Sequence, residues 1–257
     1  MNWNSTTSTK LNANWNSESE MVVQDAERCL NVINHRKFIR KAPLTGAFFD
    51  LFLPNRCLIC FRTIPSEKTL CENCINALQT ITPTGTYRTT PTIEKIYFFD
   101  YYDSPLTDLI KSYKYGPHKS LERFLSYFLS LLLAFWQLPK TIVPIPSHVV
   151  SIRGRGFSSV EHIIRSCKKN FCADLSLLTV LNRTGAYIPQ ASLSNPEQRM
   201  ENARRSYTIS EGAIPDEILI FDDIMTSGNT LEAVARLIKA KRSDCRITGA
   251  VFVKRGR

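Results

Sequence analysis

No cationic start followed by an apolar stretch opens this chain. Residues 1–20 (MNWNSTTSTKLNANWNSESE) are Asn, Ser and Thr with two isolated tryptophans, which is not the pattern of a secretory leader. Nor does any apolar run reach the roughly 20 residues that span a bilayer. The longest, Phe124–Leu138 (FLSYFLSLLLAFWQL), falls short and is interrupted by Ser126, Tyr127 and Ser130, so it is expected to be a crossover helix buried against a sheet. Histidine is scarce: His35, His118, His148 and His162 stand alone, outside any motif, and no general base can be named among them. Acidic residues are outnumbered, 23 against 33 Lys and Arg, leaving a net charge of +10. That excess implies an anionic partner, whether phosphorylated substrate, nucleic acid or acidic surface, without choosing among them. With 257 residues, the chain suits one medium domain plus a small module.

Polar tracts such as 1–20 cannot bury enough apolar surface to order themselves, so a disordered tail is expected. Val22, Ala26, Leu30 and Ile33 then recur at helical spacing, ahead of a basic cluster from His35 to Lys41. A short amphipathic helix and a solvated basic linker both fit residues 21–42. Cys57, Cys60, Cys71 and Cys74 form C-x2-C-x10-C-x2-C around the short, polar FRTIPSEKTL. Two knuckles this close bring four thiolates onto one zinc, a coordinatively closed site that folds a module rather than catalysing. Redox thiols or paired disulfides are the competing readings. The preceding FFDLFLPNR supplies apolar residues to dock the module on its neighbour. Cys29, Cys167, Cys172 and Cys245 are scattered and read as plain core or surface residues. ITPTGTYRTTPT (81–92) reads as a linker.

Downstream, KIYFFDYYD is a strand candidate, and a helix is expected from Pro105 until Gly116-Pro117 stops it. Lys111 and Lys114 share a face of that helix, either solvated or turned toward phosphates. TIVPIP (141–146) is a short buried strand, followed by Arg153, Gly154, Arg155 and Gly156, cations on flexible backbone. The polar stretch 177–209 carries Arg183, Gln190, Arg199 and Asn202 between buried strands, either as a functional lid or as a plain surface loop. ITGAVFVKR closes the chain as a strand.

The stretch Ile218–Thr230 (ILIFDDIMTSGNT) carries the most information. Four successive apolar residues suit a strand buried on both faces of a parallel sheet. Asp222 and Asp223 end it, and Thr226, Ser227, Gly228, Asn229 and Thr230 lead into a helical pattern through Leu231, Val234, Leu237 and Ile238. Backbone N–H groups, hydroxyls and a helix N-terminus make an anion site there. The carboxylates can accept hydrogen bonds from vicinal hydroxyls a few ångströms away. A sugar phosphate fits both ends.

This string resembles the binding motif for 5-phosphoribosyl 1-pyrophosphate (PRPP) of the type I phosphoribosyltransferases. Together with the cysteine pattern, IKSYKYG, VPIP before RGRGF and NRTGAYIPQASL, it resembles the ComF family, competence protein F and its relatives, over about residues 45–257. The family pattern after VPVP usually reads RGFNQ, whereas Ser158-Ser159 stand here after RGF, and T-S-G-N-T stands where the family tends to T-T-G-x-T.

The resemblance implies an α/β fold: a type I phosphoribosyltransferase core, a mostly parallel sheet flanked by helices, preceded by a small four-cysteine zinc ribbon. The implied division is a disordered or weakly helical extension (1–43), the ribbon (44–80), a linker (81–92) and the phosphoribosyltransferase-like domain (93–257). It implies that Asp222 and Asp223 bind the ribose hydroxyls and serve catalysis, and that Thr226, Ser227, Gly228, Asn229 and Thr230 hold the 5′-phosphate. Arg153, Arg155 and Gly156 fall in the pyrophosphate loop, and Arg183, Gln190, Arg199 and Asn202 in a lid. Zn²⁺ is the implied structural ion, on Cys57, Cys60, Cys71 and Cys74, and Mg²⁺ accompanies PRPP.

Two functions follow from the resemblance. One is a cytoplasmic, PRPP- and Mg²⁺-binding protein of natural transformation, with phosphoribose transfer to an unidentified acceptor. The other is a PRPP- or nucleotide-responsive accessory whose ribbon and basic surface hold single-stranded DNA or a DNA-uptake helicase, its noncatalytic extreme being a ribbon DNA-binding protein with a vestigial enzyme fold. The charge and the ribbon favour the second, and the acid pair and phosphate loop are open to both.

Overall fold

The structure, a computed structural model, describes residues 29–31, 33–34, 55–65, 67–87, 92–116, 119–147, 152, 156–184 and 206–256. The tail 1–20 and residues 48–54 of the expected docking segment 48–56 lie outside them. In chain order the elements are α1 (Glu72–Gln79), β1 (Gly85–Tyr87), β2 (Ile96–Tyr101), α2 (Pro105–Tyr115), a 3₁₀ turn (Lys119–Leu121), α3 (Glu122–Phe135) and β3 (Thr141–Pro144). They continue with α4 (Ser159–Asn170), β4 (Ser176–Leu177), β5 (Leu181–Arg183), β6 (Tyr207–Ile209), β7 (Glu217–Met225), α5 (Asn229–Lys241) and β8 (Arg246–Lys254).

Six strands form one sheet in the order β1-β2-β8-β7-β3-β4, parallel except for the antiparallel edge strand β1. The two central strands read as uninterrupted apolar runs because both faces are covered. On one face Leu219, Phe221 and Phe252 pack against Leu109 and Ile110 of α2, Phe128 and Leu132 of α3, and Ile163 and Ile164 of α4. On the other, Ile218, Ile220, Ile247 and Val251 meet Leu231, Val234, Ala235 and Ile238 of α5.

The expected helix from Pro105 is there, its Gly116 N–H closing on the Ser112 carbonyl. The apolar run 124–138 gives α3, which ends at Phe135 because the chain turns through Gln137 at φ 49°. Helix α4 has no counterpart among the expected elements, although Val160, Ile163, Ile164 and Cys167 are buried at helical spacing. Strand β7 runs on through both aspartates to Met225, two residues beyond Asp223, where the strand is expected to end. Of the polar stretch 177–209, the two ends pair as an antiparallel ribbon, Arg183 opposite Tyr207.

Strand order determines where a ligand fits. After β3 the chain crosses by α4 to β4 on one side, and after β7 it crosses by α5 to β8 on the other. Strands β7 and β3 are neighbours, so their connections leave in opposite directions and open a crevice at their carboxyl ends. Asp222 and Asp223 sit at that switch point.

Candidate functional site

Alternation along β7 separates the two carboxylates. Asp223 continues the face of Leu219 and Phe221, toward α2. Asp222 continues the face of Ile218 and Ile220, toward α5 and the β5–β6 ribbon. Asp223 is buried, and its Oδ1 lies 2.7 Å from Lys114 Nζ on α2, 109 residues away in sequence. Burial alone would lower the lysine's pKa, but Asp223 and Asp222 beside it outweigh that and hold it above the ordinary value. The side chains of this pair are 19% and 5% exposed, so it is an ion pair of the interior. The shared face expected for Lys111 and Lys114 divides in the structure: Lys111 lies 4.7 Å over the Tyr102 ring, near Asp108, and only Lys114 enters the crevice.

Asp222 Oδ1 accepts the Asp223 backbone N–H at 2.9 Å. Burial first, and then the neighbouring Asp223 carboxylate, push its pKa up to about 7, with Lys114 and Arg183 opposing. Asp222 keeps a partial opening to solvent, which screens part of this rise. Arg183, expected in the lid, stands at the end of β5, donates from Nη1 to the Pro146 carbonyl at 3.2 Å and lies over the Tyr207 ring. It thus bridges the ends of β3 and β5 beside Asp222.

After Met225 the strand gives way to the loop. Thr226 and Ser227 are exposed, and Gly228 begins α5 at φ 79°, a conformation that a β-carbon strains. Gly228, the N-cap of α5, makes no side-chain capping bond. The first N–H groups of the helix therefore have no capping acceptor from Gly228. Across the crevice Gly156 also has positive φ, 78°, and donates its N–H to Ile152. Arg153, Arg155, Gln190, Arg199 and Asn202, expected in the pyrophosphate loop and the lid, lie outside the described residues.

His162, isolated in sequence, is not isolated in space: its Nδ1 is 2.7 Å from Glu122 Oε2 and 2.9 Å from the Tyr113 hydroxyl. Neither neighbour could be read from sequence spacing. A cavity of about 530 Å³ lined by Lys140, Phe171, Cys172 and Asp174 sits at the amino end of β3, the opposite edge from the acid pair.

The four cysteines converge. The Sγ atoms of Cys57, Cys60, Cys71 and Cys74 all lie within 4.8 Å of one another, with Cys60 and Cys71 at 3.6 Å. Such spacing suits a tetrahedron of sulfurs about one Zn²⁺ at about 2.3 Å each. A hydrogen bond from Cys74 holds the Cys57 thiol down to about 4, helped by backbone N–H groups of Cys60, Cys71 and Ile59 against the effect of burial. Cys74 is pushed up, chiefly because it holds the shared proton, and Cys71 by burial. One thiolate therefore forms readily, and gathering four calls for a divalent cation.

The ribbon is tied to residues that precede it. Asn34, buried, accepts the Leu70 N–H at 2.7 Å and the Thr69 N–H at 3.2 Å through Oδ1, and donates to the Leu70 carbonyl at 3.1 Å. Leu30 and Ile33 are buried with it, and residues 29–31, 33 and 34 are helical.

Phe61, just past the first knuckle, is 62% exposed and held at φ 61°. The left-handed conformation costs an L-residue about 1–2 kcal/mol that glycine avoids. Phe61→Gly is expected to raise ribbon stability by about 1 kcal/mol, read as slower zinc release to a chromogenic chelator. Faster release would show that contacts of the ring outweigh the strain.

Comparison with known proteins agrees with this architecture. Residues 48–85 match the family model described as a double zinc ribbon domain, and residues 136–257 match that of a phosphoribosyl transferase domain. The chain is 23% identical to Competence protein F of Haemophilus influenzae over 159 residues, covering 58% of this chain and 68% of that one. It is 25% identical to the DNA utilization protein YhgH of Escherichia coli over 190 residues, covering 71% of this chain and 83% of that one. The resemblance read from the motifs holds: the chain joins a zinc ribbon to a phosphoribosyl transferase domain, and its relatives are named for competence and for DNA utilization.

Proposed function

We propose that the crevice between β7 and β3 binds PRPP, and that the protein serves natural transformation in the cytoplasm. The observation that carries this reading is the acid pair at the switch point, followed directly by the start of α5 at Gly228. Asp222 and Asp223 take the ribose hydroxyls, and Thr226 to Thr230 take the 5′-phosphate. Arg153, Arg155 and Gly156 face the pyrophosphate, and Arg183, Gln190, Arg199 and Asn202 close over it. Mg²⁺ enters with the pyrophosphate as part of the substrate.

Phosphoribose transfer requires the bond from C1′ to pyrophosphate to ionise. The chain's part is to neutralise the departing anion with arginines and to keep water from the cationic sugar, which is a lid's task. His162, oriented by Glu122 and Tyr113, is the residue near this edge with the arrangement of a general base for an incoming nitrogenous acceptor.

A binding role for the ribbon is supported by Phe61, an exposed aromatic with Arg56 and Arg62 also exposed nearby in sequence. Single-stranded DNA or a DNA-uptake helicase is the partner this surface suits.

Calorimetric titration of PRPP with Mg²⁺ is the direct test: saturable binding supports the reading, and no binding refutes it. Binding should also depend on pH. The ionised carboxylate accepts from a hydroxyl far more strongly than the protonated acid, so with the pKa of Asp222 near 7 affinity should fall below pH 7, by at most about tenfold per unit, and level off above it. The free protein should show the opposite sign. The folded state holds this proton more tightly than the unfolded one, so the contribution of Asp222 to stability is greatest below its ordinary value of 3.8 and is lost as pH rises through about 7. Affinity that is flat from pH 5.5 to 8 would exclude Asp222 as the acceptor.

A further inference from the structure

Away from the crevice, at the amino end of β3, three titratable side chains meet on the wall of the cavity of about 530 Å³. Lys140 leads into β3, and Cys172 and Asp174 lie in the loop from α4 to β4. We infer that Cys172 is a site of mixed-disulfide formation with a small, carboxylate-bearing disulfide, which Lys140 attracts and whose adduct the cavity holds.

Hydrogen bonds fix the pair. The Leu175 N–H reaches the Cys172 carbonyl at 3.1 Å and the Ser176 N–H reaches the Lys140 carbonyl at 2.9 Å, so loop and strand are held side by side. Lys140 Nζ donates to Cys172 Sγ at 3.1 Å, with Asp174 Oδ2 further off at 3.8 Å. Burial alone would lower the pKa of the lysine, but Cys172 first and then Asp174 outweigh it and hold the group above its ordinary value. Lys140 is therefore a cation at neutral pH. In thiol–disulfide exchange the attacking sulfur is negative, and that charge spreads over the sulfurs as the bonds change. An ammonium in contact with the attacking sulfur offsets it. Cys167 and Cys245 differ: both are fully buried, and burial pushes Cys167 up to about 12, which leaves it inert. Cys172 is only half-buried.

The cavity supplies the rest. Its volume falls among those of small-molecule pockets, about 300–1,000 Å³. Leu131 and Ala134 of α3, with Phe171, give it an apolar wall, and the Lys140 side chain is 43% exposed, open to a carboxylate. The Cys172 sulfur attacks one sulfur of the reagent, a new S–S bond forms as the reagent's own breaks, and the second sulfur departs as a thiolate. Cys172 is oxidised, the departing half is reduced, and the thiol proton passes to solvent.

Reduced, zinc-loaded full-length protein is treated with oxidised glutathione and, separately, with the cationic disulfide cystamine, and adducts are followed by intact mass and peptide mapping. The glutathione adduct should form on Cys172 about tenfold or more faster than on Cys167 or Cys245. Cys172→Ser should remove it. Lys140→Met should slow oxidised glutathione about fivefold, the factor that one unit charge carries at contact distance in water, and should not slow cystamine. Lys140→Arg keeps the charge and should keep the rate within about twofold. An unchanged rate in Lys140→Met, or equal slowing by Met and Arg, overturns the inference. So does first reaction at Cys167 or Cys245, or an internal Cys167–Cys172 disulfide in place of the adduct.

Discussion

Asp222→Asn/Asp223→Asn should abolish PRPP binding, with affinity reduced by at least a hundredfold while the chain stays folded. Each carboxylate replaced removes a charge-assisted hydrogen bond worth about 1.5–3 kcal/mol, so two together amount to roughly a hundredfold or more. Asparagine keeps an oxygen in place, so Lys114 still finds an acceptor where Asp223 stood. Loss of the charge weakens that pair, and a drop of a few degrees in the melting temperature is expected, not unfolding. Calorimetry reads the binding, and far-ultraviolet circular dichroism with a thermal melt reads the fold. Binding that survives in the double variant would remove the acid pair from any ligand role. Loss of the fold would show instead that the two carboxylates are structural, the ion pair to α2 being their purpose.

Zinc removal should have the second large effect. Structural zinc contributes about 10–16 kcal/mol in small zinc-finger peptides, and nothing else in residues 55–80 can replace a term of that size. Chelation, or Cys57→Ser, should expose the backbone of that segment to hydrogen exchange, together with Asn34, whose partners Thr69 and Leu70 go with it. Amides of β7 and β8 should stay protected, since those strands are covered by α3, α4 and α5. Unchanged exchange at Leu70 and Ile75 after chelation, or protein purified under reducing conditions without zinc, would contradict a structural ion. Uniform loss of protection through β7 and β8 would show that ribbon and sheet unfold as one unit.

What could be read from residues alone was what is local in the chain. The strand–acid–loop–helix string is thirteen residues long, and each part has its own pattern: an apolar run, adjacent carboxylates, a glycine, a helical repeat. The cysteines carry their geometry in their spacing. Helix α2 announced both ends, with Pro105 and Gly116. Contacts across the chain left no such trace. Lys114 and Asp223 are 109 residues apart, and nothing in IKSYKYG says that its second lysine rather than its first enters the crevice. Glu122 and Tyr113 beside His162 are equally silent, as is Asn34, a polar residue on an apolar helical face that proved to be the brace of the second knuckle. Strand β7 outlasted its apolar run because pairing with β8 continues to Met225, and a neighbouring strand supplies hydrogen bonds whatever the side chains are.

Helix α2 has two faces in use. Leu106, Leu109, Ile110 and Tyr113 share one continuous core with Leu70, Ile75 and Leu78 of the ribbon, α1 packs on α2, and Lys114 of α2 reaches the acid pair. Any coupling between a metal on the cysteines and a ligand in the crevice would therefore pass through this helix. Whatever factor zinc adds to the affinity for a sugar phosphate, the sugar phosphate must add to the affinity for zinc, because the two ligations close a cycle. A zinc release rate that PRPP leaves unchanged would show instead that the cysteine cluster is a fastening and nothing more.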